Sequence, residues 1–223
     1  MQIRLFLSAI AKFSMGVVLV GSLLFLPAFT FAYPQAWLLM VILFIPMFIA
    51  GLVMLAKNPD LLRSRLDAKE KATEQSLVVK LSGLMFLAGF ILAGLSYRFG
   101  WLMLPRWVSW LGAGLFLFSY ALYAEVLREN TWLSRTIQVQ EGQQVISTGL
   151  YGIVRHPMYA VTLVLFLSMP LVLGSALSIL VFLCYPFIIA KRIRHEEDVL
   201  TRELQGYAEY MQKVRWRLIP FVW

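Results

Sequence analysis

A cluster of side chains that can bind polar ligands precedes a long apolar segment. It lies in the stretch 149–159, which contains Tyr151, Arg155, His156 and Tyr159. Polar side chains at the edge of a membrane segment are unfavourable to place, and they commonly mark functional sites. Pro157 fits the first turn of a helix, where neighbouring N–H groups lack intrahelical partners and can bind an anion. The cluster therefore predicts a binding site at the start of a helix.

A second polar cluster, 192–197, closes the same apolar segment at its other end. Arg192 and Glu196 are four residues apart, so both side chains lie on one face of a helix. The planar guanidinium of Arg192 matches the geometry of a carboxylate or a phosphate. If the apolar segment folds back on itself, the two clusters meet and form one site.

The composition predicts an all-α integral membrane protein with one domain. Of the 223 residues, 60% are hydrophobic and only 14% are charged, whereas a soluble domain has about a quarter charged residues. The apolar runs are continuous and lack the alternation of a transmembrane barrel strand. Arg4 and Lys12 precede the first run, which we interpret as a membrane helix and not as a cleaved signal.

Charge and cysteine content exclude other classes of function. The net charge is +8, but the basic residues sort by membrane side, so we expect no nucleic-acid partner. The single cysteine, Cys184, permits no intramolecular disulfide, and with two histidines there is no metal-ligand spacing. We therefore expect neither a metal nor a reactive thiol.

About six membrane spans are predicted. Four cover about residues 13–31, 35–56, 77–97 and 108–127, and the charged stretch 57–76 is either a surface amphipathic helix or a solvated linker. The apolar run 158–190 has 33 residues and would be about 50 Å long as one helix, against a core of about 30 Å. Pro170, Gly174 and Ser175 lie at its middle, which favours a helical hairpin that turns within 170–175.

The distribution of basic residues supports the hairpin. With six spans, 18 of the 20 Lys and Arg residues lie on one side of the membrane, and only Arg98 and Arg106 lie on the other. This positive-inside pattern predicts that both termini are cytoplasmic. A charged helix is expected over about 191–213, and the polar segment 128–157 is expected to be a functional or disordered loop.

The polar motifs of the C-terminal half together resemble a known family. The chain is similar, over roughly residues 120–223, to the isoprenylcysteine carboxyl methyltransferase and phospholipid methyltransferase superfamily. The motifs that carry the resemblance are Tyr151-x-x-x-Arg-His-Pro-x-Tyr159, the apolar hairpin, Arg192-x-x-x-Glu-Glu197, Leu200, Gly206-Tyr207, Tyr210 and Arg217-Leu-Ile-Pro220. The single domain 1–223 then divides into N-terminal spans and linker, 1–119, and a methyltransferase-like core, 120–223.

The resemblance implies S-adenosyl-L-methionine as the methyl donor, bound at the cytoplasmic end of the hairpin. Arg192 would hold the methyl acceptor, and Arg192 and Glu197 would be the catalytic residues, Glu197 or His156 accepting a proton where the acceptor is an amine. The residues expected to bind the cofactor are Gln143, Gln144, Val145, Ile146, Tyr151, His156, Pro157, Tyr159 and Glu196. The acceptor would be a lipophilic small molecule, a membrane lipid or a prenylated substrate. The short chain and its ending resemble bacterial members, which implies a bacterial inner membrane.

Two alternatives remain open from the sequence. A membrane reductase that uses NADPH is one, because sterol reductases share a similar hairpin and an Arg-His-Pro-x-Tyr motif, although they are usually longer. A membrane scaffold without enzymatic activity is the other, but it gives no reason for two polar clusters to converge. The Tyr207 and Tyr210 side chains are interpreted as packing groups, and Glu125 is a weaker candidate for the site.

Overall fold

The protein is a bundle of apolar helices, seen in a computed structural model that describes residues 2–66, 73–130, 132 and 139–223. Within these ranges the only strand-like pairing is one bridge between Met103 and Ser175. The helices are α1 (Gln2–Ala28), α2 (Pro34–Lys57), α3 (Pro59–Leu66), α4 (Thr73–Phe99), α5 (Arg106–Glu129), α6 (Pro157–Leu173), α7 (Ala176–Phe182), α8 (Tyr185–Glu203) and α9 (Tyr207–Lys213). The predicted all-α integral membrane fold is confirmed.

The long apolar helices are able to cross a membrane. In the described part of the chain, five segments have sufficient length and hydropathy: Ile3–Ala28, Pro34–Lys57, Leu77–Phe99, Arg106–Glu129 and Ala176–Glu203. The helix α6 is shorter, at 17 residues, and reaches about 26 Å at 1.5 Å per residue. Together with α6 they correspond to the six predicted spans. Several ends lie beyond the predicted boundaries, by two residues at Phe99, ten at Ile3 and thirteen at Glu203.

The hairpin turns where the sequence predicted. Helix α6 ends at Gly174, whose backbone is left-handed with φ of 69°, a conformation that glycine adopts without steric strain. Ser175 then caps α7, its side chain accepting a hydrogen bond from the Ser178 N–H. The returning arm is interrupted at Leu183 and Cys184 before α8 begins.

The prediction of one charged helix over 191–213 is wrong in its extent. The charged residues from Lys191 onward continue the apolar start of α8, because nothing in the sequence between Tyr185 and Glu203 interrupts helical hydrogen bonding. The helix ends at Leu204, and Gly206 turns the chain with φ of 85° before α9. The turn allows α9 to fold back and leave its two tyrosines buried.

One end of the bundle is fastened by hydrogen bonds around the hairpin tip. The Tyr33 hydroxyl donates to the Leu173 carbonyl at 2.7 Å, and the Tyr97 ring stacks on Tyr33 with centroids 4.0 Å apart. The Leu104 N–H donates to the Gly174 carbonyl at 2.8 Å. The tip is thus tied to the α1–α2 turn and to the α4–α5 connection, and the polar clusters lie at the opposite end of α6.

The stretch between α5 and α6 is held against the end of α5. The Glu129 carboxylate accepts a hydrogen bond from the Leu150 N–H at 3.0 Å. A side chain at Gly149, whose φ is 52°, would place its Cβ 1.4 Å from a Glu129 oxygen. A short 3-10 helix, Gly149–Gly152, follows and carries Tyr151. Of the predicted loop 128–157, residues 131 and 133–138 lie outside the described residues.

The charged stretch after α2 begins with a helix. Its first part is α3, whose Leu62 is buried, and the Lys12 ammonium donates to the Leu66 carbonyl at 2.7 Å. These contacts attach α3 to α1 and favour the predicted surface helix over a solvated linker for residues 59–66. The remainder of the stretch up to residue 72 lies outside the described residues.

Candidate functional site

A cleft opens where the start of α6, the charged part of α8 and the segment before α6 meet. Nine residues that the sequence assigned to the site line this cleft: Gln143, Gln144, Val145, Ile146, Tyr151, His156, Tyr159, Arg192 and Glu196. The hairpin therefore brings the two polar clusters together. The ligands that these residues bind stay a prediction.

Three side chains, which we name the cleft triad, form a polar chain along one wall. They are Tyr159, Arg192 and Glu196. The Tyr159 hydroxyl donates to Glu196 Oε2 at 2.5 Å and accepts from Arg192 Nε at 2.8 Å. The side chain of Glu196 keeps 24% of its surface exposed, and its second oxygen, Oε1, lies 4.0 Å from His156 Nδ1. One oxygen of this carboxylate is thus available to a positively charged ligand group.

A second group, which we name the tail anchor, lies behind the cleft wall. It consists of Arg155, Glu197 and Arg217. Glu197 is 3% exposed, and its two oxygens accept from Arg155 Nε at 2.7 Å and from Arg217 Nε at 2.6 Å. His156 Nε2 lies 3.2 Å from Glu197 Oε1. Both oxygens of this carboxylate are therefore occupied by protein groups.

The anchor fixes the C-terminal tail against the start of α6. Arg155 Nη1 also donates to the carbonyls of Val214 and Arg215, at 2.8 Å each. The backbone N–H groups of Arg155 and His156 donate to the carbonyls of Trp216 and Arg217, at 2.8 and 2.9 Å. The expectation that free N–H groups near Pro157 bind an anion is therefore corrected at these two positions, because the tail already uses them.

Two predicted site residues do not line the cleft. Pro157 is the buried first residue of α6, with His156 as the preceding cap, so its role is to start the helix. Glu197 lies in the tail anchor and contacts two residues that line the cleft, Arg155 and His156. The catalytic role expected for Glu197 and the cofactor contact expected for Pro157 remain predictions.

Two tyrosines of α9 also line the cleft, although the sequence was interpreted as giving them a packing role. The Tyr210 hydroxyl donates to the Tyr151 carbonyl at 2.6 Å, while the Tyr151 hydroxyl accepts from Asn130 Nδ2 at 2.9 Å. The Tyr207 hydroxyl is buried and has no hydrogen-bond partner among the described residues. Burial raises the pKa of Tyr207 well above its ordinary value, and the carboxylates of Glu197 and Glu196 raise it further, so this phenol stays protonated.

The other lining residues were not anticipated. They are Asn130, Trp132, Arg155, Met158, Leu200 and Leu204. Leu200, three residues after Glu197, was named for the family resemblance alone, and its position one helical turn from Glu196 would have placed it on the cleft face. Asn130 and Trp132 follow the end of α5, and no periodicity in the sequence connects them to the hairpin.

The weaker sequence candidates lie elsewhere. Glu125 pairs with Arg128 on the exposed part of α5, with a shortest distance of 2.5 Å, and does not line the cleft. Cys184 is exposed at the break before α8. Within the described ranges, no three His, Cys, Asp or Glu side chains are placed to hold a metal ion.

A family model matches the part of the chain that contains the hairpin. Residues 111–202 match the model of the Isoprenylcysteine carboxyl methyltransferase (ICMT) family. The Delta(14)-sterol reductase TM7SF2 of Mus musculus is 32% identical over 91 residues, which are 40% of this chain and 22% of the reductase. The chain thus spans about a fifth of that relative's length.

A solved structure shares the fold. It is the eukaryotic intramembrane Ras methyltransferase ICMT, determined without a monobody, which superposes with a TM-score of 0.56 at 18% sequence identity. The alignment covers 92% of this chain and 74% of that chain. The family match begins nine residues before the predicted start of the resemblance and ends at residue 202, before the tail. It includes the whole cleft triad.

Proposed function

Since residues 111–202 match the model of the Isoprenylcysteine carboxyl methyltransferase (ICMT) family, we propose that the chain belongs to this family and transfers a methyl group from S-adenosylmethionine to a lipophilic acceptor in the membrane. The observation that carries the proposal is the cleft triad, which presents a half-paired carboxylate and a guanidinium side by side at the end of a membrane hairpin. The carboxylate suits the positive groups of the donor, and the guanidinium suits an anionic acceptor beside it.

The side chains of the cleft match the chemical groups of the donor. S-adenosylmethionine, when bound, supplies a methyl group on a positively charged sulfur. Glu196 would hold the positive ammonium or sulfonium with its exposed oxygen, while His156 lines the same cleft and would meet the carboxylate. The backbone of Gln143–Ile146, together with Leu200 and Leu204, forms the less polar part of the cleft, where a nucleoside base would lie.

The acceptor side follows from Arg192. Its Nε donates to Tyr159, and its planar guanidinium matches the geometry of a carboxylate or a phosphate. A carboxylate acceptor needs no base, because it is already nucleophilic when ionised. An amine acceptor must lose a proton, and His156 is the cleft residue positioned to take it. Glu197 then acts as a positioning residue, since it contacts His156 Nε2 from behind.

The helices provide access for a lipophilic acceptor. Large apolar side chains such as Leu19, Val41 and Leu117 are about half exposed on the outside of the bundle, where they face lipid. We propose that the acceptor enters from the bilayer while the donor enters from the cytosol, with both termini cytoplasmic in the inner membrane of a bacterium. Most Lys and Arg residues lie in the segments on the same side of the membrane as the cleft, and this distribution supports the orientation.

Methylation can be tested with purified protein in lipid vesicles. S-adenosylmethionine with a labelled methyl group is incubated with an S-prenylated cysteine derivative that has a free carboxylate, and label in the organic phase is counted. The same derivative as its methyl ester is the control, because its acceptor oxygen is blocked. Label that depends on the free carboxylate is the expected result. No transfer to this derivative or to membrane lipid extracts would refute the proposal.

A reductase that uses NADPH is a second candidate, favoured by the 32% identity to the sterol reductase segment. The two candidates differ in the ligand that the cleft must bind. NADPH carries several phosphate charges and no sulfonium, so the exposed carboxylate of Glu196 would oppose it. The candidates are separated by measuring the affinity of the protein for NADPH and for S-adenosylhomocysteine, the demethylated donor.

A further inference from the structure

The hydroxyl of Tyr207 is a buried polar group that the fold does not use. Tyr207 is 4% exposed and lines the cleft, and its hydroxyl has no hydrogen-bond partner in the described part of the chain. A buried polar group without a partner is unfavourable by about 1–3 kcal/mol, and such groups in native proteins call for an explanation. A ligand in the cleft is one explanation.

The neighbouring Tyr210 shows what a structural tyrosine looks like at the same place. The two rings are 5.6 Å apart, and both belong to the apolar cluster with Leu204 and Val214. Tyr210 donates to a backbone carbonyl at 2.6 Å and so fastens α9 to the segment before α6. Tyr207 contributes the same ring area without such a bond. Packing alone therefore accounts for the Tyr207 ring but not for its hydroxyl.

The surroundings of the hydroxyl limit the group that it can bind. The carboxylates of Glu197 and Glu196 raise the pKa of this hydroxyl more than the guanidinium of Arg155 lowers it, and this balance disfavours an anionic acceptor. The ammonium and sulfonium of the donor contain no acceptor, so they would leave the proton of this buried hydroxyl without a partner. An uncharged acceptor remains, and Val145 and Leu200 pack against this cluster as an apolar boundary. A nucleoside offers such acceptors in its ring nitrogens and ribose hydroxyls.

We propose that the Tyr207 hydroxyl donates a hydrogen bond to an uncharged acceptor on the nucleoside half of the methyl donor, and thereby helps to select that ligand. The inference rests on the proposed function. It divides the cleft into a nucleoside end at Tyr207 and a charged end at the cleft triad. Tyr207 is thus a binding residue located outside the segment that matches the family.

The test uses Tyr207→Phe and two ligands. Affinity is measured for S-adenosylhomocysteine and for 5′-methylthioadenosine, which keeps the nucleoside but lacks the amino-acid carboxylate and ammonium. We expect the substitution to weaken both ligands by a similar factor, about fivefold, as for one neutral hydrogen bond. Without ligand, the thermal midpoint should stay the same or rise, because an unpaired hydroxyl is removed.

Tyr120→Phe is the matched control. The Tyr120 hydroxyl donates to the Leu43 carbonyl at 3.0 Å, away from the cleft, so this substitution should lower the thermal midpoint and leave both affinities unchanged.

The outcomes separate the inference from the proposed function. Wild-type affinity of Tyr207→Phe for both ligands would overturn the inference and leave the methyltransferase proposal intact. A loss for S-adenosylhomocysteine alone would also overturn it, because the contact would then lie at the amino-acid half. A fall in the ligand-free midpoint would show that the hydroxyl has a structural partner and would contradict the premise. No binding of either ligand to the wild-type protein would refute both proposals.

Discussion

The cleft triad and the tail anchor contain neighbouring glutamates in opposite surroundings. The Glu196 side chain is 24% exposed and shares one oxygen with Tyr159, whereas the Glu197 side chain is 4% exposed and is contacted at both oxygens by arginines. Successive residues of a helix point about 100° apart, so one faces the cleft and the other the protein interior. We therefore propose that Glu196 serves ligand binding, whereas Glu197 holds the fold together.

The anchor has consequences for the cleft as well. It holds the tail residues 214–217 against Arg155 and His156, and the tail in turn follows α9 with its two cleft tyrosines. Tail docking is therefore required for a complete cleft, although the tail lies beyond the family match. Substitutions that separate stability from ligand affinity test this division.

The largest effect is expected for Glu197→Ala. Removing one partner of a buried ion pair leaves Arg155 buried without its carboxylate, which typically destabilises a protein by about 3–5 kcal/mol. The thermal unfolding midpoint in detergent should fall by many degrees. Glu196→Ala is the control and should change the midpoint little. An equal fall of the thermal midpoint for both substitutions would contradict the proposed difference between Glu196 and Glu197.

A smaller but more specific effect is expected for Glu196→Gln. A hydrogen bond to a charged group contributes about 1.5–3 kcal/mol, so the affinity for S-adenosylhomocysteine should fall by at least about tenfold. Calorimetric titration measures the change. Glu125→Gln removes a carboxylate on exposed α5 and should leave the affinity unchanged. Wild-type affinity of Glu196→Gln for S-adenosylhomocysteine would show that the cleft triad does not bind this ligand.

The smallest effect on donor affinity is expected for Arg192→Ala. Arg192 contacts the Tyr159 hydroxyl, which in turn donates to Glu196. Donor affinity should therefore fall by only about threefold, while methyl transfer to a carboxylate acceptor should be lost. The titration is paired with the labelled-methyl assay. A loss of donor affinity as large as that of Glu196→Gln would show that Arg192 holds the donor, and the assignment to the acceptor would be wrong.

Local patterns were sufficient to predict most of the fold. The length of the apolar run 158–190 and its Pro170 and Gly174 required a turn, and the turn lies at Gly174. The four-residue spacing of Arg192 and Glu196 required a shared face, and both line the cleft. The family that the motifs resemble is also the family whose model matches residues 111–202.

Sequence patterns could not predict the contacts between distant parts of the chain. Glu197 meets Arg155, 42 residues away, and Arg217, 20 residues away, only because the tail crosses the start of α6. No periodicity encodes that crossing, so the sequence predicts a catalytic role for Glu197 and does not reveal its contacts with the tail. The contrast between Tyr207 and Tyr210 likewise depends on what each hydroxyl meets in three dimensions.

Ligand-induced stabilisation tests the central claim most directly. The thermal midpoint of the purified protein is followed while S-adenosylhomocysteine and NADPH are added in separate titrations. A ligand that binds only the folded state raises the midpoint, by an amount equivalent to about 2.7 kcal/mol at one hundred times its Kd. The methyltransferase account predicts a rise with S-adenosylhomocysteine and none with NADPH. A rise with NADPH alone would contradict it.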